Sequence, residues 1–325
     1  MAGSADSALA IAVAKAGGLG ALACAMLSAG RVAEEVAKFR LTTGKAPINL
    51  NFFCHEPAPL SPEAESRWQH RLRDYYEEFN VHPGDGGPAR KPFDDEAADL
   101  VTSLGPDFVS FHFGLPEAGL LERVRASGAR VLSSATTIDE AVWLDQQGID
   151  GIIVQGLEAG GHRGQFLRDD LQGQAPLLEL LGAVREHVST PLIGAGGIDS
   201  HERVRAVLDA GAIAVQVGTV LLRCPEATTS DVHRAALAGE HASDTSITNI
   251  FSGRPARGIV NRAIREIGPL ADEAPPFPWA AGAMASLRRA AEARGSGDFS
   301  PLWSGTRGAP ADAPAAEIIE SLLPD

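Results

Sequence analysis

The residue types that could do chemistry gather in one stretch, Gly156-Leu157-Glu158-Ala159-Gly160-Gly161-His162-Arg163-Gly164, where four glycines surround a single imidazole. Glycine lets a backbone approach a ligand closely and reach conformations that a Cβ forbids. An imidazole titrates near neutrality, so His162 is the candidate proton acceptor or substrate contact. Just before the loop, Gly151-Ile152-Ile153-Val154-Gln155 is short, apolar and rich in β-branched residues. That pattern predicts a strand buried on both faces, of the kind found in parallel sheets. Taken alone, a histidine in a glycine loop is as readily a structural residue held by backbone hydrogen bonds. Its placement at a strand end, beside the turns below, favours chemistry. Glu158 and Arg163 read as loop-fixing or solvent-facing.

Two further glycine turns share this design, Gly194-Ala195-Gly196-Gly197 and Gln216-Val217-Gly218-Thr219. Each is predicted to end a strand and feed a helix, which aims backbone N–H groups at an anion. One such turn alone would only permit tight packing of strand on helix. Two on adjacent strands point to a phosphate. Neither the G-x-G-x-x-G spacing of a dinucleotide fold nor the Lys-Ser/Thr of a P-loop is present. A phosphate carried by a flavin mononucleotide or a sugar phosphate fits better. Asn51, Gln155 and Gln216 end their strands with an amide, which can both donate and accept, as a flavin edge requires. His112 alternates with Phe111 and Phe113, so it points either into the mouth of the sheet or into packing; His55 lies past a strand end and is a weaker candidate. No His/Cys/carboxylate set has metal-ligand spacing, and no G-x-S-x-G nucleophile turn occurs.

The elements that must hold these residues follow a repeated phrase of helix, glycine and short apolar strand. Strands are predicted at Leu19–Ala23, Ile48–Phe53, Phe108–Phe113, Arg130–Ser134, Gly151–Gln155, Leu192–Ala195 and Ile213–Val217. Helices are predicted between them at Asp6–Lys15, Arg31–Thr42, Asp95–Ser103, Ile138–Gln147, Leu177–His187 and Ser200–Ala210. Such alternation means βα units and a parallel sheet. A closed (β/α)₈ barrel needs eight strands. The expectation is therefore a TIM (β/α)₈-type barrel lacking its first strand, with Met1-Ala2-Gly3 as the stub of that strand's end. An open α/β sheet is the alternative. With the first strand counted, the two phosphate turns fall on strands seven and eight, where such barrels bind phosphate. An insertion at 56–91 carries a predicted helix at Pro62–Phe79. The division expected is a barrel over 1–223, completed by 301–325, and a mainly helical second domain or lid over 224–300.

Composition sets the outer limits. The chain of 325 residues is 44% hydrophobic and 22% charged, ample for a core and against bulk disorder. A net charge of −14 argues against nucleic acid or an anionic membrane surface as partner. Cys24, Cys54 and Cys224 are scattered and fit neither a disulfide framework nor a zinc site, which suits a reducing, cytoplasmic setting. No apolar run reaches bilayer length.

Gln155-Gly156-Leu157-Glu158-Ala159-Gly160-Gly161-His162 resembles the signature of nitronate monooxygenases. Supporting stretches are Ala16-Gly17-Gly18-Leu19-Gly20, Ser110-Phe111-His112-Phe113-Gly114, Ala195-Gly196-Gly197-Ile198, Gln216-Val217-Gly218-Thr219, Ser252-Gly253-Arg254 and Trp303-Ser304-Gly305. The resemblance implies an FMN-dependent TIM barrel that oxidises an alkyl nitronate, or a nitroalkane, with O₂ to a carbonyl compound and nitrite. It implies that His162 sits over the flavin as base or nitronate contact. The positions it assigns to FMN are Met1, Ala2, Gly3, Asn51, Gln155, Gly160, Gly161, Gly196, Gly197, Gln216, Val217, Gly218 and Thr219. It further implies a monomer or homodimer. Two readings compete with it: an NAD(P)H-dependent FMN barrel reductase of the enoyl-carrier-protein type, and a non-catalytic remnant.

Overall fold

The computed structural model describes residues 3–56, 58–59, 61–84, 91–308 and 312–323. In chain order the strands are β1 (Gly20–Ala23), β2 (Ile48–Phe53), β3 (Phe108–His112), β4 (Arg130–Ala135), β5 (Gly151–Gln155), β6 (Gly161–His162), β7 (Leu192–Ala195), β8 (Ala214–Gln216), β9 (Thr245–Thr248) and β10 (Ala256–Ile259). The helices before the last strands are α1 (Ser7–Lys15), α2 (Ala29–Thr43), α3 (Pro62–Arg71), α4 (Arg73–Phe79), α5 (Asp95–Leu104), α6 (Ala118–Ala126), α7 (Ile138–Gln146), α8 (Leu177–Arg185), α9 (His201–Asp209) and α10 (Asp231–Ala238). Three more follow: α11 (Arg262–Ile267), α12 (Ala280–Glu292) and α13 (Ala315–Leu322).

Among the described residues, seven strands form one curled parallel sheet in the order β1-β2-β3-β4-β5-β7-β8, with β1 and β8 at its edges. This is the α/β, TIM-barrel-type arrangement expected. The Met1 and Ala2 part of the expected stub lies outside the described residues. Gly3 is in an exposed turn with φ of 80°. The parallel register, Leu50 beside Val109 and Ser133 beside Ile152, repeats helix–glycine–strand units. Side-chain oxygens start the helices: Asp6 accepts from the Ala8 amide, Thr137 from Glu140 and Ser200 from Arg203. Gly105 ends α5 with φ of 52°, a left-handed cap that suits a residue without Cβ.

Alternation along each strand divides the side chains into two sets. Leu22, Leu50, Val109, Phe111, Val131, Ile152 and Val154 pack outward against Phe39, Val101, Val124, Leu144, Leu177 and Val207 of the helix layer. On the inner face, Leu132, Ile153 and Ala195 form a small separate core with Phe108 and Ile193. The inner face ends, at the C-terminal side of the strands, in a polar layer of Asn51, Ser110, His112, Ser134, Gln155 and Gln216. That side is where βα loops build sites in barrels. α13 closes the outer layer by packing on α1 and α9 and burying Ala315, Ile318 and Ile319.

A second core joins the inserted helices α3 and α4 to α11 and α12, through Trp68, Leu72, Tyr76, Ile264, Met284, Leu287 and Phe299. Trp68 Nε1 donates to the Ala280 carbonyl at 3.2 Å and Tyr76 Oη to that of Ala283 at 2.8 Å. The region is less purely helical than its sequence suggests. β9 and β10 form an antiparallel pair there, extended by β6 of the histidine loop. The four-residue strands Thr-Ser-Ile-Thr and Ala-Arg-Gly-Ile carry too little apolar alternation to register as strands. They pair with each other, and β6 of the histidine loop adds a third strand beside β10.

Glu35 of α2 is buried and fastens α1. It accepts from the Ser7 amide at 2.9 Å and from the Ser7 hydroxyl, and pairs with Arg31 at 2.7 Å and Lys38 at 3.0 Å. Burial disfavours the carboxylate, but the Ser7 bonds, Lys38 and Arg31 outweigh it and bring the group from 4.5 down to about 2. A carboxyl depressed by folding adds stability above its unfolded value and loses it as pH falls toward the folded one. The thermal midpoint should therefore drop between pH 4.5 and 2, and Glu35→Gln should flatten that drop. The variant should also lose roughly 1–3 kcal/mol at neutral pH.

Candidate active site

The loop after β5 is held by its own carbonyls and by the strand ends beneath it. The carbonyl oxygen of His162 receives Gln155 Nε2 at 3.0 Å and lies 3.2 Å from His112 Nε2. A carbonyl only accepts, so His112 carries its proton on Nε2, and Nδ1 accepts from Ser134 Oγ at 3.0 Å. Burial drives the His112 pKa down to about 3, the two nearby arginines adding to the effect, so the ring stays neutral as this donor. Gln155 Oε1 accepts from the Gly164 amide at 2.8 Å, so both ends of that amide hold the loop. Arg163 is fully buried. Its guanidinium donates to the Gln155 and Gly156 carbonyls and to Gln174, each at 2.8 Å. Glu140, also buried, accepts from the Thr136 amide and hydroxyl on one oxygen and from Phe166 N on the other, which ties the far end of the loop to α7.

The His162 imidazole itself leaves this scaffold and faces the second core. Its backbone pairs with Ala256 of β10, and Nε2 lies 2.9 Å from Ser252 Oγ. Around it stand Trp303 and Phe277, with ring centroids at 5.4 and 5.5 Å, and Phe113 and Phe53 at 6.0 and 6.3 Å. His55 lies behind this group, its ring 4.7 Å from that of Phe277. Sequence reasoning alone did not assign Ser252, Phe53, Phe277 or Trp303 to the site. All four come from segments distant from His162 in the chain, and the local signals were the Ser252-Gly253-Arg254 and Trp303-Ser304-Gly305 stretches.

The glycine turns converge on the other side of the loop. Gly196 and Gly197 have φ of 117° and 65°, and Cβ atoms there would come within 2.9 Å of Ala159 N and 3.0 Å of Glu158 Cβ. A Cβ on Gly160 would stand 2.5 Å from Gly305 N and the Ser304 carbonyl carbon. Gly305 N donates to Thr219 Oγ1 at 2.9 Å, and Thr306 N to the Glu158 carbonyl at 3.0 Å. The loop after β5 thus meets the turn after β7 on one side, and residues 304–306 join it to Thr219 after β8. Among the described residues, chain neighbours aside, nothing lies within 4 Å of where a Gly218 Cβ would stand, and Gln216 is exposed at the β8 edge. The second turn differs from expectation in one respect. Gly218 leads into a three-residue 3₁₀ turn, Thr219–Leu221, rather than an α-helix. Pro225 lacks the N–H that a continuing helix would need, and Val220 and Leu221 are buried in the core. Asn51 turns its amide to β3, donating to the Ser110 hydroxyl at 2.9 Å. Gly161 starts β6 with φ of 75°. Glu158 fixes structure, its carboxylate receiving the Leu177 amide at the start of α8 at 2.9 Å. Among the described residues no cluster of His, Cys, Asp or Glu could hold a metal.

A curled parallel βα sheet with a histidine loop and glycine turns at its C-terminal rim defines an enzyme of the TIM-barrel type. The chain belongs to the nitronate monooxygenase family, whose profile matches residues 1–325. It is 36% identical to the nitronate monooxygenase of Pseudomonas aeruginosa, covering 99% of this chain and 93% of that one. It is likewise 36% identical to the nitronate monooxygenase of Paraburkholderia phytofirmans, with 99% and 89% covered. The solved nitroalkane oxidase from Streptomyces ansochromogenes is similar over 99% of this chain and 92% of its own, at 36% identity and a TM-score of 0.90. FabK from Thermotoga maritima shares the fold, with a TM-score of 0.69 at 21% identity over 99% and 89%.

The convergence at Gly160 can be tested directly. Gly160→Ala should lower stability by roughly 1–3 kcal/mol through its clash with backbone. Gly182→Ala, on an open face of α8, should be neutral or raise it by up to about 1 kcal/mol. Thermal denaturation of both variants checks the contrast.

Proposed function

We propose that this chain oxidises alkyl nitronates, and neutral nitroalkanes after deprotonation, with O₂ as oxidant and a carbonyl compound and nitrite as products. The observation that carries the reading is the His162 imidazole, held by Ser252 at 2.9 Å and ringed by aromatic side chains beside the glycine cradle. Such a ring can take the acidic α-proton of a nitroalkane, a carbon acid whose conjugate base is the nitronate.

The residues present fit FMN. A phosphate needs backbone N–H groups and space; the turns at Gly196-Gly197 and Gln216-Val217-Gly218-Thr219 offer the first, and beside Gly218 no described residue other than its chain neighbours lies within 4 Å of where a Cβ would stand. Asn51 at the rim, and Gly160 and Gly161 above it, leave polar groups and close backbone for the edge of a flat ring, with Gln155 setting the height of the loop. The assigned Met1 and Ala2 lie outside the described residues, and Gly3 is placed with this group on the family resemblance alone. Bound FMN would supply the redox chemistry, accepting electrons from the nitronate and yielding them to O₂. The protein's part is to hold the substrate anion, to take one proton at His162 and to keep the aromatic side dry. We place the barrel at 1–223 and 301–325, the helical region at 224–300, and the enzyme in the cytoplasm as a monomer or homodimer. Among the described residues no helix is long and apolar enough to cross a membrane.

The test is a visible spectrum of the protein loaded with FMN, followed by anaerobic addition of propyl-1-nitronate. Bleaching of the flavin band by the nitronate, without NADH or NADPH, is expected. Bleaching by NAD(P)H alone would move the assignment to a reductase. His162→Asn should keep the yellow colour and lose at least about a hundredfold in kcat/KM on neutral nitroethane, while ethyl nitronate, already deprotonated, suffers less. Unchanged turnover of nitroethane would remove the base role.

A further inference from the structure

Among the described residues eight helices lie outside the sheet, α1, α2, α5 to α9 and α13, while the sheet itself holds seven strands. A barrel of this type has one outer helix for each strand. The mismatch falls at one place. α1 packs on β1 and α9 on β8, and α13 packs on both of those helices, so the outer layer closes across an arc where the sheet does not. We propose that the slot between β1 and β8 is a docking site for one extended strand of another polypeptide, about five residues long and parallel to both edges.

Backbone chemistry defines the occupant. β1 has β2 as its strand neighbour and β8 has β7, each on one side. Along a strand the N–H and C=O groups point alternately to its two sides, so half of those on β1 and β8 face the slot. A chain that answers both edges needs donors and acceptors on both of its own sides, and a β-strand has them. Neither Gly-Ala-Leu-Ala of β1 nor Ala-Val-Gln of β8 carries the proline or charge that protects exposed edges from pairing.

Side-chain exposure gathers at the same two edges. By register Ala21 stands beside Asn49 and Ala214 beside Ile193, on the inner face of the sheet. Ala21, Ala214 and Gln216 are exposed, whereas Leu132 and Ile153, on the inner face of the central strands, are buried. Leu19 and Ile213, at the N-terminal ends of the two edges, are 38% and 70% exposed. Facing alanines, the occupant carries small residues on its inner side. Toward Leu22, Val215 and the helix layer it carries branched apolar ones. Because Gln216 to Thr219 continue β8, the docked strand would also steady a rim turn. The inference rests on the fold and holds whatever reaction the rim performs.

The probe is acetyl-Ser-Val-Ala-Val-Ala-Val-Ser-amide, added to the full chain. The control is acetyl-Ser-Val-Ala-Pro-Ala-Val-Ser-amide, whose proline lacks a ladder N–H. Native mass measurement should show one peptide per chain with the probe and none with the control. Amide hydrogen exchange in residues 19–23 and 213–217 should slow by at least about tenfold with the probe. Ala214→Lys, a charge at an exposed inner position, should leave the fold intact and abolish both effects. Absence of bound probe, equal binding of the control, or unchanged binding by Ala214→Lys would overturn the proposal. So would a dimer that forms without peptide and separates when the probe is added, since a second copy would then be the occupant.

Discussion

The carbonyl of His162 is gripped from two strands at once, by the imidazole of His112 on β3 and the amide of Gln155 on β5. Everything distinctive about the site depends on that grip. A glycine loop has no side chains to hold itself in place, so its position is set by whatever its backbone groups can bond. Here the strand ends supply the partners and the buried Arg163 and Glu140 lock the two flanks. The imidazole above turns toward Ser252 and Phe277, from the region after residue 224, while Phe53 and Phe113 of the sheet stand on its other side.

The site is therefore a seam. The sheet contributes the polar floor and the phosphate-type turns. The region after residue 224 contributes Phe277, Ser252 and the Arg254 that stacks on Phe113. β6 is the physical link, being at once the end of the histidine loop and the edge strand of the three-stranded sheet. A likeness to FabK at 21% identity extends over the same architecture, so the architecture alone does not choose between oxidase and reductase.

Much of this was legible beforehand, for definite reasons. The strand ends at Gln155 and Ala195 fell where the sequence placed them, because glycine punctuation and β-branched runs act locally. The histidine loop and both cradle turns were visible in the same way. The role of His112 was not, since alternation beside Phe111 and Phe113 left its direction open. That direction is decided by Ser134 and a carbonyl 50 residues later. The left-handed backbone of Phe113 has no sequence signature, as such a conformation normally announces itself through glycine or asparagine. β9 and β10 escaped notice because Thr-Ser-Ile-Thr and Ala-Arg-Gly-Ile carry little apolar alternation, and the 3₁₀ turn after Gly218 because Pro225 cannot continue a helix there.

The knot of Gly160, Thr219 and Gly305 has a bearing on the order of assembly during synthesis. The turn after β5 is made early, yet its packing partner is residue 305 of 325, and α13 comes later still. A nascent chain emerging from the ribosome carries the turn after β5 unpacked until residue 305 has followed it out, and a chain broken off before that residue would leave the loop without its partner.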